Sequence, residues 1–273
     1  MEGSRFAESA RFTDAAVAAA DRIGVEPPWN VCAVRVMLAA AGQLDTDLKT
    51  EMRRLRETAD ASGDLMGRAV TLFQRATIIS FGPHPEMAMD SAQRLVALGR
   101  ESECATVTAM GLLAVGWSVA KERPEDAFVA WRDADRLASS VGSRTVAAQA
   151  SRSLVELEGG DEDSTSVLAR LVPVLQRFRH DNDLAQQTVT VMAMLPSFAD
   201  LGEVELTARL CAALRKTPWS SSTPLRAAEE IVASRLDAKA LAAALRSGSM
   251  MSTADMVRLA LSSADRLTMS TRS

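Results

Sequence analysis

Two histidines, three cysteines and two acidic runs are where acid–base, nucleophilic or metal chemistry would have to be built in this chain. His84 lies in a Gly82-Pro83-His84-Pro85 turn, and His180 opens the run His180-Asp181-Asn182-Asp183. That run has the oxygen donors of a hard-cation site. It also suits a basic residue at a helix C-terminus followed by acidic capping of the next helix, which is the reading adopted. The run Glu156, Glu158, Asp161, Glu162, Asp163 resembles the start of a calcium loop. It has Ser166 where loop position 6 needs glycine and Val172 where position 12 needs glutamate. Solvated acids at a helix start are expected instead.

Nucleotide chemistry needs a Gly-Lys pair, because backbone amides cradle the phosphates while lysine reaches the terminal one. The residues before the four lysines are Leu48, Ala120, Arg215 and Ala238, so no P-loop exists, and Gly-x-Gly-x-x-Gly is also absent. No catalytic, metal or cofactor residues are assigned. An enzyme on this scaffold would need a buried carboxylate pair, or a histidine–carboxylate pair, inside one cavity.

The elements that would position any site are helices. Tyrosine is absent, aromatics are 4% of the chain, and no sustained alternation of apolar and polar residues is present. The spacing i, i+4, i+7, i+11 marks one helix face. It is filled by Leu48, Met52, Leu55, Ala59; by Ala88, Ala92, Leu95, Gly99; and by Ala127, Trp131, Ala134, Ala138. Ser164, Leu168, Leu171, Leu175 form a fourth set, and Leu206, Leu210, Ala213 begin a fifth. Successive starts lie 40, 39, 37 and 42 residues apart. Pro85-Glu86 and Pro124-Glu125 open two of these helices. Turn signals recur between them at Ser62-Gly63-Asp64, Ser102-Glu103, Gly142-Ser143 and Asp181-Asn182-Asp183.

The unit is therefore helix, turn, helix. A lone helix of ~15 residues is marginal in water, so each hairpin must bury its face on a neighbour. The expected fold is all-α, a right-handed superhelix of tandem antiparallel hairpins: a TPR-like (tetratricopeptide-like) α-solenoid with a repeat of about 40 residues. Residues 1–215 form the array, 216–223 a loop, and 224–273 its C-terminal capping helices. A first hairpin spans Arg5 to Ile23 and Trp29 to Ala41. Pro173 and Pro196 should kink or split their helices. Thr223 should cap a helix beginning at Pro224. Two further helices run from Ala238 to Arg246 and from Thr253, where Ser252 and Asp255 make a capping box.

A net charge of −4 and a pI near 5.4 give no general attraction to phosphate backbones or anionic membranes. Cys32, Cys104 and Cys211 fall in apolar helical stretches, reading as buried reduced thiols of a cytoplasmic protein. The uncharged run Cys104 to Ala120 is shorter than the ~20 residues a membrane span needs, and reads as a central buried helix. The helix pair near the C-terminus has a helix-turn-helix outline but offers mainly Arg258 and Arg266 to base edges, so no direct nucleic-acid partner is expected. The Arg53-Arg54-Arg56 cluster reads as a solvated helix face. Trp131 takes a repeat position where two other units carry Met52 and Ala92. It either fills core volume or anchors a partner in the groove, with Arg132 and Arg136 beside it.

Two segments, Leu201 to Leu214 (LGEVELTARLCAAL) and Leu241 to Leu261 (LAAALRSGSMMSTADMVRLAL), resemble the end of the TPR-like helical-repeat region of large actinobacterial LuxR-type transcriptional regulators, including versions fused to adenylate cyclase. In that family an A-R-L-x-G-A-A helix precedes a Gly-x-x-(Met/Leu)-Ser/Thr helix start. Cys211 stands where the family usually has glycine. The family's upstream ATPase and downstream DNA-binding parts have no counterpart here. What the resemblance implies is a non-catalytic binding or scaffold module, either a short protein or part of a larger regulator. Its groove would recognise a protein segment, or a small effector as a sensor domain does. A homodimer that caps an exposed apolar end is a further possibility.

Overall fold

The computed structural model describes residues 5–270 apart from 41, 83, 161, 218 and 221, with backbone alone at 5, 6, 223 and 270. Among the described residues the chain is all-α, with fourteen α-helices, one 3₁₀ turn and no strand. Its internal contacts divide it into two compact units, 1–146 and 147–273.

The first unit holds α1 (Arg5–Ile23), α2 (Trp29–Ala40), α3 (Leu48–Ser62), α4 (Leu65–Ser80), α5 (Met89–Glu101), α6 (Ala105–Val119) and α7 (Pro124–Ser140). Each packs on the next, while α2 also meets α4 and α4 meets α6. The periodic faces point inward, for Leu55, Ala59, Ala92, Leu95, Ala127, Ala134 and Ala138 are all buried. The uncharged stretch forms α6, whose buried residues run around the helix from Val107 to Val119. Burial on all sides removes the need for a polar face. No helix among the described residues is long and apolar enough to cross a membrane.

Helix backbones come unusually close here. A Cβ on Gly99 would lie 2.4 Å from the Thr108 nitrogen, and one on Gly111 2.6 Å from Val96. At Gly116 it would fall 2.2 Å from Trp131 Nε1. The α5–α6 and α6–α7 packings therefore require glycine. At the other end of the unit, Arg35 of α2 is buried and holds Glu51 of α3 through two hydrogen bonds, Nε to Oε2 at 3.0 Å and Nη2 to Oε1 at 2.9 Å. Its Nη1 reaches Asp14 of α1. One guanidinium thus ties three helices.

The second unit comprises α8 (Arg144–Glu158, entered from its fourth residue, Ala147), α9 (Ser164–His180), α10 (Leu184–Asp200), α11 (Val204–Leu214), α12 (Thr223–Arg235), α13 (Ala238–Ser249) and α14 (Thr253–Ser270). It is not a simple succession. α13 packs on α11, and α14 returns to lie on α9, α10 and α11. Met256, Val257, Ala260, Leu261 and Ala264 of α14 share one core with Leu168, Leu171, Leu175, Leu195, Phe198 and Leu210.

The turns repeat one geometry. Gly24, Gly42, Glu103, Gly142, Asn182 and Gly202 all have positive φ. After each, the next amide donates to the carbonyl five residues back, at 2.8 to 3.1 Å, as in Cys104 to Gly99 and Asp183 to Phe178. This is the Schellman closure, which satisfies carbonyls a helix end leaves open. Asp47 and Asp183 cap the helices after two of these turns, and Asp64 and Asp163 cap α4 and α9 after other connections. Ser252 and Asp255 form the expected reciprocal box, Asp255 N donating to Ser252 Oγ at 3.1 Å. Hydrogen bonds from Ser166 and Ser252 hold the Asp163 and Asp255 carboxyls below the usual range. Each cap therefore stabilises the fold above the ordinary carboxylate pKa and loses that contribution as pH falls through its own lowered value.

Several local expectations are corrected. Pro173 and Pro196 do not split their helices, for both lie at exposed positions inside continuous helices. Pro85 opens a 3₁₀ turn (Pro85–Ala88) ahead of α5. The cap position of α12 is Ser222, with no side-chain hydrogen bond, rather than Thr223. α13 runs past Arg246 to Ser249, because Gly248 lets it press against the Arg209 carbonyl. Ala41, Pro83, Asp161, Pro218 and Ser221 lie outside the described residues.

Replacing Gly116 with alanine should cost about 1–3 kcal/mol by overpacking, whereas Gly160→Ala, with open space at its Cβ, should be nearly neutral in urea titration. Glu51→Ala leaves buried Arg35 short of its main partner and should lower stability by about 3–5 kcal/mol, most of it recovered when Arg35 is also replaced by methionine.

Candidate functional site

Trp131 is a core residue and not a groove anchor. It is 4% exposed, its ring covers Gly116, and its Nε1 donates to the Leu113 carbonyl at 3.1 Å. The indole has neither free surface nor a free donor for a partner. Arg132 and Arg136 sit on the exposed side of α7. Arg132 lies over the Phe128 ring, 5.4 Å from its centroid, and Arg136 pairs with Asp133 at 2.9 Å.

Arg136 also borders an open groove of about 440 Å³ formed by α5, α6 and α7. Leu112 and Leu137 supply apolar lining, Ser140 and Thr108 hydroxyls, and Arg100 and Arg136 positive charge against the single carboxylate of Asp133. Thr108 Oγ is spent on the Cys104 carbonyl. Arg100 has no ion-pair partner among the described residues. The groove thus carries one surplus positive charge beside an apolar strip.

The other charged features are committed to structure. Arg54 pairs with Asp21 at 3.3 Å and Glu26 at 3.8 Å, while Arg53 and Arg56 face solvent. Arg258 pairs with Asp255 at 3.1 Å and Arg266 with Glu203 at 2.9 Å, so the cations of the helix-turn-helix-like pair already hold carboxylates. His84 faces Glu86 at 3.3 Å on an exposed turn. Asp181 ends α9 through its backbone N–H, and the Asp183 carboxylate caps α10. Glu158 and Glu162 converge, but on the guanidinium of Arg170, which neutralises them. No cluster among the described residues has the composition to hold a metal ion.

The second unit contains a polar group that the sequence reading passed over. Gln149, Arg152, Ser153 and Glu156 lie at i, i+3, i+4 and i+7 on α8. Arg152 is 4% exposed; its Nη1 donates to Gln186 of α10, and Glu156 stands 3.2 Å from its Nε without completing a hydrogen bond. Burial pulls the Arg152 guanidinium below the ordinary arginine range, while the charges of Glu156 and Asp183 act against that pull. The signal available in the sequence was a polar line, Gln149, Arg152, Ser153 and Glu156, beside the apolar residues Ala147, Ala148, Ala150, Leu154 and Val155 of the same helix.

All three thiols are free. Cys32 and Cys211 are buried in α2 and α11. Cys104 is half-buried at the cap position of α6, outside any helix body. Burial, with Glu229 adding to it, pushes the Cys211 thiol up to about 12.

No protein-family model matches this chain, and no curated protein matches it.

A thiol must ionise to attack, so a pKa near 12 keeps Cys211 inert at neutral pH. Maleimide at pH 8 should label Cys104 in the native protein and reach Cys32 and Cys211 only after denaturation. Rapid native labelling of Cys211, located by peptide mass spectrometry, would refute that assignment.

Proposed function

We propose that this chain is a non-catalytic binding module. In this reading the hairpins of the first unit are a TPR-like, right-handed superhelical stack, of the kind found in LuxR-type transcriptional regulators. The α5–α7 groove takes an acidic segment of a partner protein. The observation that carries the reading is the groove itself, whose lining holds Arg100 without a counter-charge together with Arg136, Leu112 and Leu137. An extended or helical segment bearing one carboxylate next to an apolar side chain would match charge and surface together. Stacked hairpins suit such a task because each contacts mainly its neighbours, so a surface residue can vary without disturbing the rest. Three unpaired thiols suit the reducing cytoplasm.

A second reading, a sensor of a small effector, draws on the buried polar face of α8, developed below.

A photo-reactive benzoylphenylalanine placed at Ser140, on the groove edge, should trap an acidic polypeptide segment in host cells. Trapping should fall at least about tenfold in an Arg100→Glu, Arg136→Glu background, the size expected when two favourable charges turn repulsive. Equal trapping by both versions would remove the groove from the proposal.

A further inference from the structure

Buried polar atoms in folded proteins almost always find hydrogen-bond partners, so a pair left open on one helix face calls for an explanation. On α8, Gln149 is 7% exposed and its Oε1 accepts nothing. One turn on, the Arg152 Nε has no hydrogen-bond acceptor, and among the described residues only Gln186 receives a hydrogen bond from that guanidinium, which has five N–H groups to offer. Leaving such groups buried and open costs their full desolvation penalty, more than the net gain of an ordinary hydrogen bond. One turn further, the Glu156 side chain is 45% exposed. The face thus runs from an open acceptor, through an under-used cation, to a carboxylate at the protein surface.

We propose that Gln149, Arg152 and Glu156, with Gln186, form a recognition site for a small zwitterion of the α-amino-acid class. Arg152 receives the carboxylate, for which a planar guanidinium with spare donors is suited. Glu156 receives the ammonium group, and Gln149 Oε1 accepts one of its hydrogens or one from the side chain. Charge decides between ligand classes. Arg152 and Glu156 sum to zero, and Asp183 adds a nearby negative charge. A simple anion would leave the buried face with excess negative charge, whereas a zwitterion leaves the balance unchanged and replaces the imperfect Arg152–Glu156 contact with two well-directed ones. The exposed end of Glu156 is the entry. This site is separate from the α5–α7 groove and stands or falls independently of it.

The test is thermal unfolding and calorimetric titration of the full chain against the twenty free amino acids individually, with acetate and methylamine as single-charge controls. At least one amino acid should raise the melting temperature by several degrees at millimolar concentration, as binding to the native state requires, while neither control does. Arg152→Met keeps the volume of the side chain and removes its charge, and circular dichroism checks that it folds; Glu156→Gln preserves the shape at the surface. Both should weaken binding at least about tenfold, Arg152→Met by losing the carboxylate partner and Glu156→Gln the ammonium partner. The proposal is overturned if no amino acid binds the wild-type chain, if acetate binds as well as the zwitterion, or if binding survives unchanged in either variant. Should Arg152→Met fail to fold, the Glu156→Gln comparison decides alone.

Discussion

Direct contact between helix backbones is the constraint on which the centre of the first unit depends. Gly99, Gly111 and Gly116 each stand where a methyl group would strike a neighbouring helix or the Trp131 indole. Glycine inside a helix is unfavourable by about 1 kcal/mol relative to alanine, so three of them around α6 mean that packing outweighs propensity there. The return is geometric. With α5, α6 and α7 drawn together, α6 is enclosed, Trp131 fills the space above Gly116, and the groove carrying Arg100 and Arg136 is held at a set width. The second unit uses the same device once, at Gly248, to bring α13 against α11.

The turns make the stacking regular. Six of them close with the same left-handed residue and the same six-to-one hydrogen bond. Glycine fills four of those positions, asparagine one, and Glu103 the last, where the backbone conformation is unfavourable for its side chain. Aspartate caps after two of these connections, Asp47 and Asp183, restart the chain. Such a connection fixes where one helix stops and the next begins within a few residues, which leaves helix length, and not loop conformation, to set the register between neighbours.

Much of this was legible beforehand because it is local. The five periodic faces, the turn sites and the Ser252–Asp255 box depend on residues within one or two helical turns of each other. Trp131 at the second position of its face was ambiguous between core and anchor, since spacing reports which way a side chain points but not whether a neighbour covers it. The same limit hid the Arg152 face: Gln149, Arg152, Ser153 and Glu156 form a polar line that would be a solvated surface on most helices, and the burial of its first three residues comes from neighbouring helices that no local spacing reports. Pro173 and Pro196 leave α9 and α10 unbroken, and the exposed side on which they lie is a property of the assembled unit. The return of α14 to α9 depends on contacts some ninety residues apart, for which no local pattern exists.

That return has a consequence for how the chain acquires its structure. Contacts in the first unit join helices that are adjacent or next but one, so each hairpin can settle soon after the ribosome releases it. In the second unit α9 and α10 leave part of their apolar surface bare until Met256, Val257, Ala260, Leu261 and Ala264 have been synthesised. Two halves built from the same kind of helix therefore mature by different schedules, one stepwise and one only on completion, and the interval before α14 arrives is when the nascent chain is most open to aggregation or to a chaperone.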